Sequence, residues 1–232
     1  MKKIFQKFHN WIFSYNDESM NLIRFLDKID NKRDLNILDV GCGYGRVLKL
    51  LEKEGFSAVG VEINEDIVKA NQQSGLKCLS VNAFKVDNTM YDVVIMFHII
   101  EHFSPQDLLS FMDYYLDKLK PGGHLIIATP VLTSYFYDDF DHVKPYSPVG
   151  IEMVFGTSNS QVQYYSNNKL ELLDLWYKRY YYRLVHQRGL HIKVGSKYII
   201  LGLHLLSVVL FKLSGGRIGK VDGWMGLYQK DL

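Results

Sequence analysis

Cysteine is scarce in this chain of 232 residues: Cys42 and Cys78 are the only two, and neither stands in a metal-ligand spacing. A disulfide scaffold and a cysteine-zinc site are thereby excluded, and reduced thiols in a cytoplasmic setting are expected. Internal repeats and low-complexity tracts are lacking as well. With 47% hydrophobic and 22% charged residues, the composition is that of a folded globular protein. The N-terminus lacks a signal-peptide pattern, because Lys2, Lys3 and Lys7 interrupt Ile4, Phe5, Phe8, Trp11, Ile12 and Phe13 before any long apolar core develops. Residues 3–14 and 17–30 read instead as two amphipathic helices.

Acidic residues are missing where the chain is most basic. Between residues 175 and 221 there are nine Lys or Arg and no Asp or Glu, whereas residues 1–174 hold 17 basic and 23 acidic residues. Inside the basic segment, residues 198–211 (YIILGLHLLSVVLF) are interrupted only by Gly202, His204 and Ser207. That run is shorter than the roughly 20 residues that span a bilayer. On a helix, Lys197, His204, Ser207 and Ser214 share one narrow stripe. Three readings follow: a core helix inserted between the last two strands, a helix dipping into an anionic membrane surface through residues 178–220, or an oligomer interface. A nucleic-acid partner is not favoured, because the segment lacks a charged-aromatic groove pattern beyond Tyr180, Tyr181 and Tyr182.

What is present is concentrated between residues 37 and 62 (ILDVGCGYGRVLKLLEKEGFSAVGVE). Leu35, Ile37, Leu38 and Val40 suit a parallel strand covered on both faces. Gly41, Gly43 and Gly45 follow at alternate positions, and a helix begins near Arg46. Such glycines let the backbone turn sharply and let a ligand approach main-chain N–H groups. The free N–H groups of the helix start favour an anionic ligand group. A dinucleotide fingerprint needs G-x-G-x-x-G, and counting from Gly41 puts Arg46 in place of the third glycine. An NAD-dependent dehydrogenase is therefore the weaker reading.

The spacing resembles the cofactor site of class I S-adenosylmethionine-dependent methyltransferases, in which an acid precedes a G-x-G-x-G turn. The resemblance covers about residues 35–130 and arrives in the family's order. Glu62, at the end of the second strand, matches the acid that holds the ribose hydroxyls, and Asp39 matches the acid of the first strand. A helix capped by Asn64 follows. A third strand at residues 77–81 ends in Asn82, Ala83 and Phe84, and Asn82 stands where the family usually has an Asp meeting the adenine amino group. Residues 91–97 (YDVVIMF) form a fourth strand, and the His98–His102 segment resembles the family's "LEH" segment. Ser104 and Pro105 open a helix that Lys120, Pro121, Gly122 and Gly123 break, and residues 125–128 form a fifth strand.

The resemblance implies a seven-stranded, mostly parallel, doubly wound α/β sheet of the Rossmann-like type, with N-terminal helices and a C-terminal helical insertion before the last strand. One domain over residues 1–232 is expected: helices at 1–34, the cofactor core at 35–130, and a substrate side at 131–232 with the insertion at about 183–221. S-adenosyl-L-methionine is the expected cofactor, contacted by Asp39, Gly41, Cys42, Gly43, Gly45, Glu62, Ile63, Asn82, Ala83, Phe97 and His98. Residues 138–148 (DDFDHVKPYSP) resemble a "DHVRPY"-type segment of small-molecule members. His142 and His102 are the candidate bases for a hydroxyl acceptor. Glu101, His102 and His142 carry metal-ligand chemistry, but two residues adjacent in sequence do not easily face one ion from a strand; no metal is expected. The implied activity is O- or N-methylation of a small-molecule, lipid-, polyprenyl- or glycan-linked acceptor. The protein is expected in the cytoplasm or at the inner membrane surface. A binding or scaffold protein that keeps the fold without turnover is the rival class.

Overall fold

A computed structural model describes residues 16–30, 34–157, 161–182 and 194–232. The helix expected at residues 3–14 lies outside them. The chain alternates strands and helices: α1 (Glu18–Leu26), β1 (Asn36–Val40), α2 (Arg46–Lys53), β2 (Ser57–Glu62), α3 (Glu65–Gln73), β3 (Cys78–Ser80), α4 (Val81–Lys85) and β4 (Tyr91–Phe97). It continues through α5 (Pro105–Leu116), β5 (Leu119–Pro130), α6 (Pro148–Phe155), β6 (Leu170–Tyr180), α7 (Val194–Leu213) and β7 (Lys220–Lys230). The strands form one sheet in the order β3-β2-β1-β4-β5-β7-β6. All pairs are parallel up to β5, and β7 inserts antiparallel between β5 and β6. This is the seven-stranded architecture expected from the sequence.

Two apolar layers cover the sheet, and the strands supply both because alternate residues point to opposite faces. Leu38, Val40, Val94, Met96, Leu125 and Ile127 join α5 and α6 in one layer. Ile37, Val93, Ile95, Ile126, Met225 and Leu227 join α1 and α2 in the other. Within each of β1, β4 and β5 the two sets occupy alternate positions, which is why each of these strands reads as a nearly unbroken apolar run. Helix starts follow local chemistry. Asp17, Asn64, Ser80, Ser104 and Ser147 each accept a backbone N–H with the side chain, and Pro105 and Pro148 occupy first-turn positions.

Two boundaries differ from the sequence expectation. The third strand ends at Ser80 instead of Val81, because the Ser80 hydroxyl caps α4. Asn82 and Ala83 therefore sit on a helical turn. The fifth strand begins at Leu119 and includes Lys120, Pro121, Gly122 and Gly123; a register shift opposite Tyr91 and Val93 absorbs these residues. The sixth strand, whose limits the sequence left open within residues 164–182, is Leu170–Tyr180.

Candidate active site

The carboxyl ends of β1, β2, β4 and β5 meet at one edge of the sheet, where ligands of open α/β sheets bind. The glycine turn leaves β1 there. Gly41, Gly43 and Gly45 have φ values of 69°, 50° and 70°, in the left-handed region that favours glycine. A Cβ on Gly41 would lie 2.4 Å from Ile99 Cδ1, and one on Gly45 would lie 2.4 Å from Leu76 Cδ1. Around Gly43 a Cβ would meet nothing within 4 Å, so this turn is packed on both flanks and open at its middle. Cys42 turns its side chain away from that opening. Its Sγ lies 3.5 Å from Cys78 Sγ in an apolar cluster with Leu48, Val68 and Leu76, so only its backbone is available to a ligand. Both cysteines are free thiols, and burial pushes the Cys42 thiol well above its ordinary range.

Glu62 reaches back to the turn. Its Oε2 accepts from Gly43 N at 3.0 Å and its Oε1 from Asn64 N at 3.0 Å. Two backbone donors thus fix a carboxylate that retains lone pairs for further donors, as a ribose diol requires. Asp39 is 2% exposed, and its Oδ2 has no hydrogen-bond partner among the described residues. Burial pushes the Asp39 carboxyl up to about 7; the Arg46 charge opposes this shift and Glu62 adds to it. An orphaned, buried carboxylate oxygen beside an open glycine turn fits a ligand carrying a positive charge. A sulfonium amino acid is such a ligand.

Ile63 follows Glu62 and is 83% exposed, an apolar side chain presented at the rim. Asn82 and Ala83 are exposed on the first turn of α4, just beyond Ser80, the strand partner of Glu62. Phe97 ends β4 and is buried. His98 follows with φ of 54°, a strained position for a non-glycine residue, held by His98 N donating to Ala128 O at 2.7 Å.

His98 also opens onto a charge cluster that the sequence did not reveal. Its Nε2 lies 3.1 Å from Glu18 Oε1, and Lys178 Nζ lies 2.9 Å from that same oxygen. Arg46 Nη2 is 3.5 Å from Glu18 Oε2. Burial opposes charge on both Glu18 and His98, but their mutual contact prevails. With Lys178 it lowers Glu18 to about 2, and with Glu101 it raises His98 to about 9. Glu18 is 80 residues from His98 and 160 from Lys178 in sequence, so no local pattern signalled the cluster.

Beyond His98 the edge continues as a short 3-10 turn, Ile100–His102, and the loop that crosses it. Glu101 is 1% exposed and its Oε2 accepts from Thr129 Oγ1 at 2.9 Å. Its backbone oxygen accepts from Val143 N and Lys144 N at 2.9 and 3.1 Å, which pins the loop. Further along, Tyr146 donates to Phe103 O, and Trp224 Nε1 donates to Tyr146 O at 2.8 Å. His142 is thereby set beside His102, with ring centroids 5.1 Å apart. His142 Nδ1 lies 2.7 Å from Phe136 O, and His102 Nδ1 lies 3.0 Å from Asp141 O. A carbonyl only accepts, so both Nδ1 atoms carry the proton and both Nε2 lone pairs are left available. Asp139 Oδ2 sits 3.7 Å from His142 Nε2.

One potential ligand atom from each of Glu101, His102 and His142 lies within 4.8 Å of the others. The geometric reason for setting this trio aside therefore does not hold, because a 3-10 turn, unlike a strand, lets adjacent residues converge.

Comparison with known proteins agrees with this geometry. A family model described as "Methyltransferase domain" matches residues 14–193. The "Ubiquinone biosynthesis O-methyltransferase" of Rickettsia bellii is 33% identical over 107 residues, covering 41% of this chain and 42% of that protein. The matched stretch is thus less than half the length of that curated relative. A SAM-dependent methyltransferase from Archaeoglobus fulgidus superposes with a TM-score of 0.56 at 21% identity, over 97% of this chain and 99% of that one. The magnesium protoporphyrin IX methyltransferase of Synechocystis with bound SAM gives a TM-score of 0.56 at 12% identity, covering 94% and 80% of the two chains. The dehydrogenase reading falls here. With its glycine turn, its fixed Glu62 and its strand order, the chain belongs to the class I S-adenosylmethionine-dependent methyltransferases.

Proposed function

We propose that the protein transfers the cofactor methyl group to a hydroxyl of a small-molecule, lipid-, polyprenyl- or glycan-linked acceptor, with His142 as proton acceptor. Bound S-adenosylmethionine supplies a methyl group already activated on a sulfonium. Asp39, the backbone of Gly41 to Gly45, and Glu62 would hold that cofactor, with Ile63, Asn82, Ala83, Phe97 and His98 along its edge. What remains for the chain is to align the acceptor and to remove its proton. Alignment supplies on the order of 7–11 kcal/mol in favourable intramolecular reactions. A hydroxyl is a poor nucleophile at neutral pH until a base takes its proton during attack, and such a base contributes about 10²–10⁴-fold.

The observation that carries this reading is the pinned pair of imidazoles. Their Nδ1–H groups are spent on Phe136 O and Asp141 O, so their Nε2 lone pairs are the free basic atoms on the acceptor side. With the cofactor bound, its sulfonium would supply the methyl group and keep the carbon–sulfur electron pair as the acceptor oxygen takes the methyl, and His142 Nε2 would receive the acceptor proton. His102 shares the wall and orients the acceptor. The name of the Rickettsia relative, an O-methyltransferase, supports oxygen over nitrogen as the atom methylated.

Methyl transfer from labelled cofactor into lipid and saccharide extracts tests the activity. Absence of any labelled product, with cofactor binding intact, sinks the enzymatic reading in favour of a cofactor-binding scaffold. His142→Ala is expected to lower turnover about 10²-fold or more while cofactor affinity stays within about twofold. Turnover that survives a chelator but not this substitution identifies a base; turnover lost to the chelator identifies a metal at the Glu101, His102 and His142 trio.

A further inference from the structure

Helix α7 is turned inside out. From Tyr198 onward, Tyr198, Ile199, Leu201, Leu203, Leu205, Leu206, Val209, Leu210 and Leu213 are between 41% and 77% exposed. At 100° per residue these nine cover one continuous side of the helix. The opposite side carries His204, Ser207 and Phe211 toward the protein, where His204 meets Tyr181 edge-on at 5.3 Å. His204 Nδ1 and Ser207 Oγ are buried there, with no hydrogen-bond partner among the described residues. A helix of a water-soluble surface does the reverse, hiding its apolar stripe and exposing its polar one. An apolar face this large on a folded domain marks an interaction surface.

We infer that α7 lies flat on an anionic phospholipid bilayer, with its leucine face in the acyl boundary. The charge around it selects this occupant. In sequence the segment 175–221 carries nine cations and no acid; Lys212 lies in the last turn of α7, at the end of the apolar face, and Arg217 and Lys220 follow the helix. Such a surround attracts anionic headgroups. A second copy would bring the same positive field against itself. Nucleic acid would meet leucines where stacking needs aromatic rings. None of the described helices is long and apolar enough to cross a membrane, so the helix rests on the surface rather than spanning it.

Asn16 ties the end of β6 to the end of α7. Asn16 exchanges hydrogen bonds with Arg179, donating to its O at 2.6 Å and accepting from its N at 2.7 Å, and it packs against Gly216 just past the end of α7.

The inference is independent of the acceptor and of His142, and its test reads partitioning instead of turnover. The full chain is mixed with phosphatidylcholine vesicles containing about 30% phosphatidylglycerol, and with pure phosphatidylcholine vesicles, then floated on a density gradient. Preference for the anionic vesicles by about tenfold or more is expected, weakening as salt rises. Leu203→Glu with Leu206→Glu, both solvent-facing, should reduce binding at least about tenfold with unchanged cofactor affinity and melting temperature. Equal binding to both vesicle types, or no loss in the double variant, overturns the proposal. So does a dimer, seen by sedimentation equilibrium, that the double variant dissociates, since the leucine face would then be a contact between copies.

Discussion

At the β1–β4 side of the sheet backbone donors fix Glu62 while Asp39 keeps a buried oxygen unpaired, and at the β6–β7 side the chain hides polar atoms and shows apolar ones. Glu62 is tied by two backbone donors and Asp39 keeps one oxygen for a ligand. Helix α7 buries His204 and Ser207 and leaves nine large apolar residues in solvent. The first region is complete except for a small ligand, and the second is complete only against another surface. Both depart from the rule that polar groups face water, and in both the departure points to what binds.

The comparison breaks most visibly if the fixed carboxylate proves dispensable. Glu62→Ala should weaken cofactor binding on the order of 100-fold by calorimetry, since charge-assisted hydrogen bonds contribute about 1.5–3 kcal/mol each. Retained affinity would mean that the turn alone holds the cofactor. A stability contrast sharpens the same point. Ile126 is fully buried in the sheet, so Ile126→Ala should cost about 2–5 kcal/mol in denaturant unfolding. Leu206, 52% exposed, should tolerate Leu206→Ala within about 0.5 kcal/mol in water. Comparable costs at the two positions would mean that α7 is covered.

The smallest effect concerns pH. His98 is raised to about 9 by Glu101 and Glu18, so its contribution to stability is fully present below its ordinary value of 6.5 and fades as pH rises through 9. Glu18, lowered to about 2, contributes above its ordinary value of 4.5 and loses that contribution as pH falls toward 2. The contact joining α1 to the end of β4 is therefore at full strength between about pH 4.5 and 6.5. Glu18→Gln should return the His98 titration toward neutrality in a proton NMR series. An unmoved midpoint would show that Glu101 alone holds the charge.

Much of the cofactor half was legible because it is written in neighbouring residues. Alternating glycines, a strand-ending acid and capping residues such as Asn64 and Ser104 act within a few positions of themselves, so their spacing carries their geometry. The errors were local competitions: Ser80 captured residues 81–85 for a helical turn, and β5 absorbed Lys120 to Gly123 through a register shift. The Glu18, His98 and Lys178 cluster had no local signal. Its members come from α1, the end of β4 and β6, which only the closed sheet brings together.

Residue order alone determined the strand sequence, the glycine turn after the first strand and the surplus of positive charge after residue 175, because each is a property of short-range spacing or of counting. The tertiary structure decided which side of α7 faces outward, that His102 and His142 share a wall, and that Glu18 meets His98 and Lys178. Those depend on how separate elements pack. A helical stripe records two faces but not which one the rest of the molecule will cover.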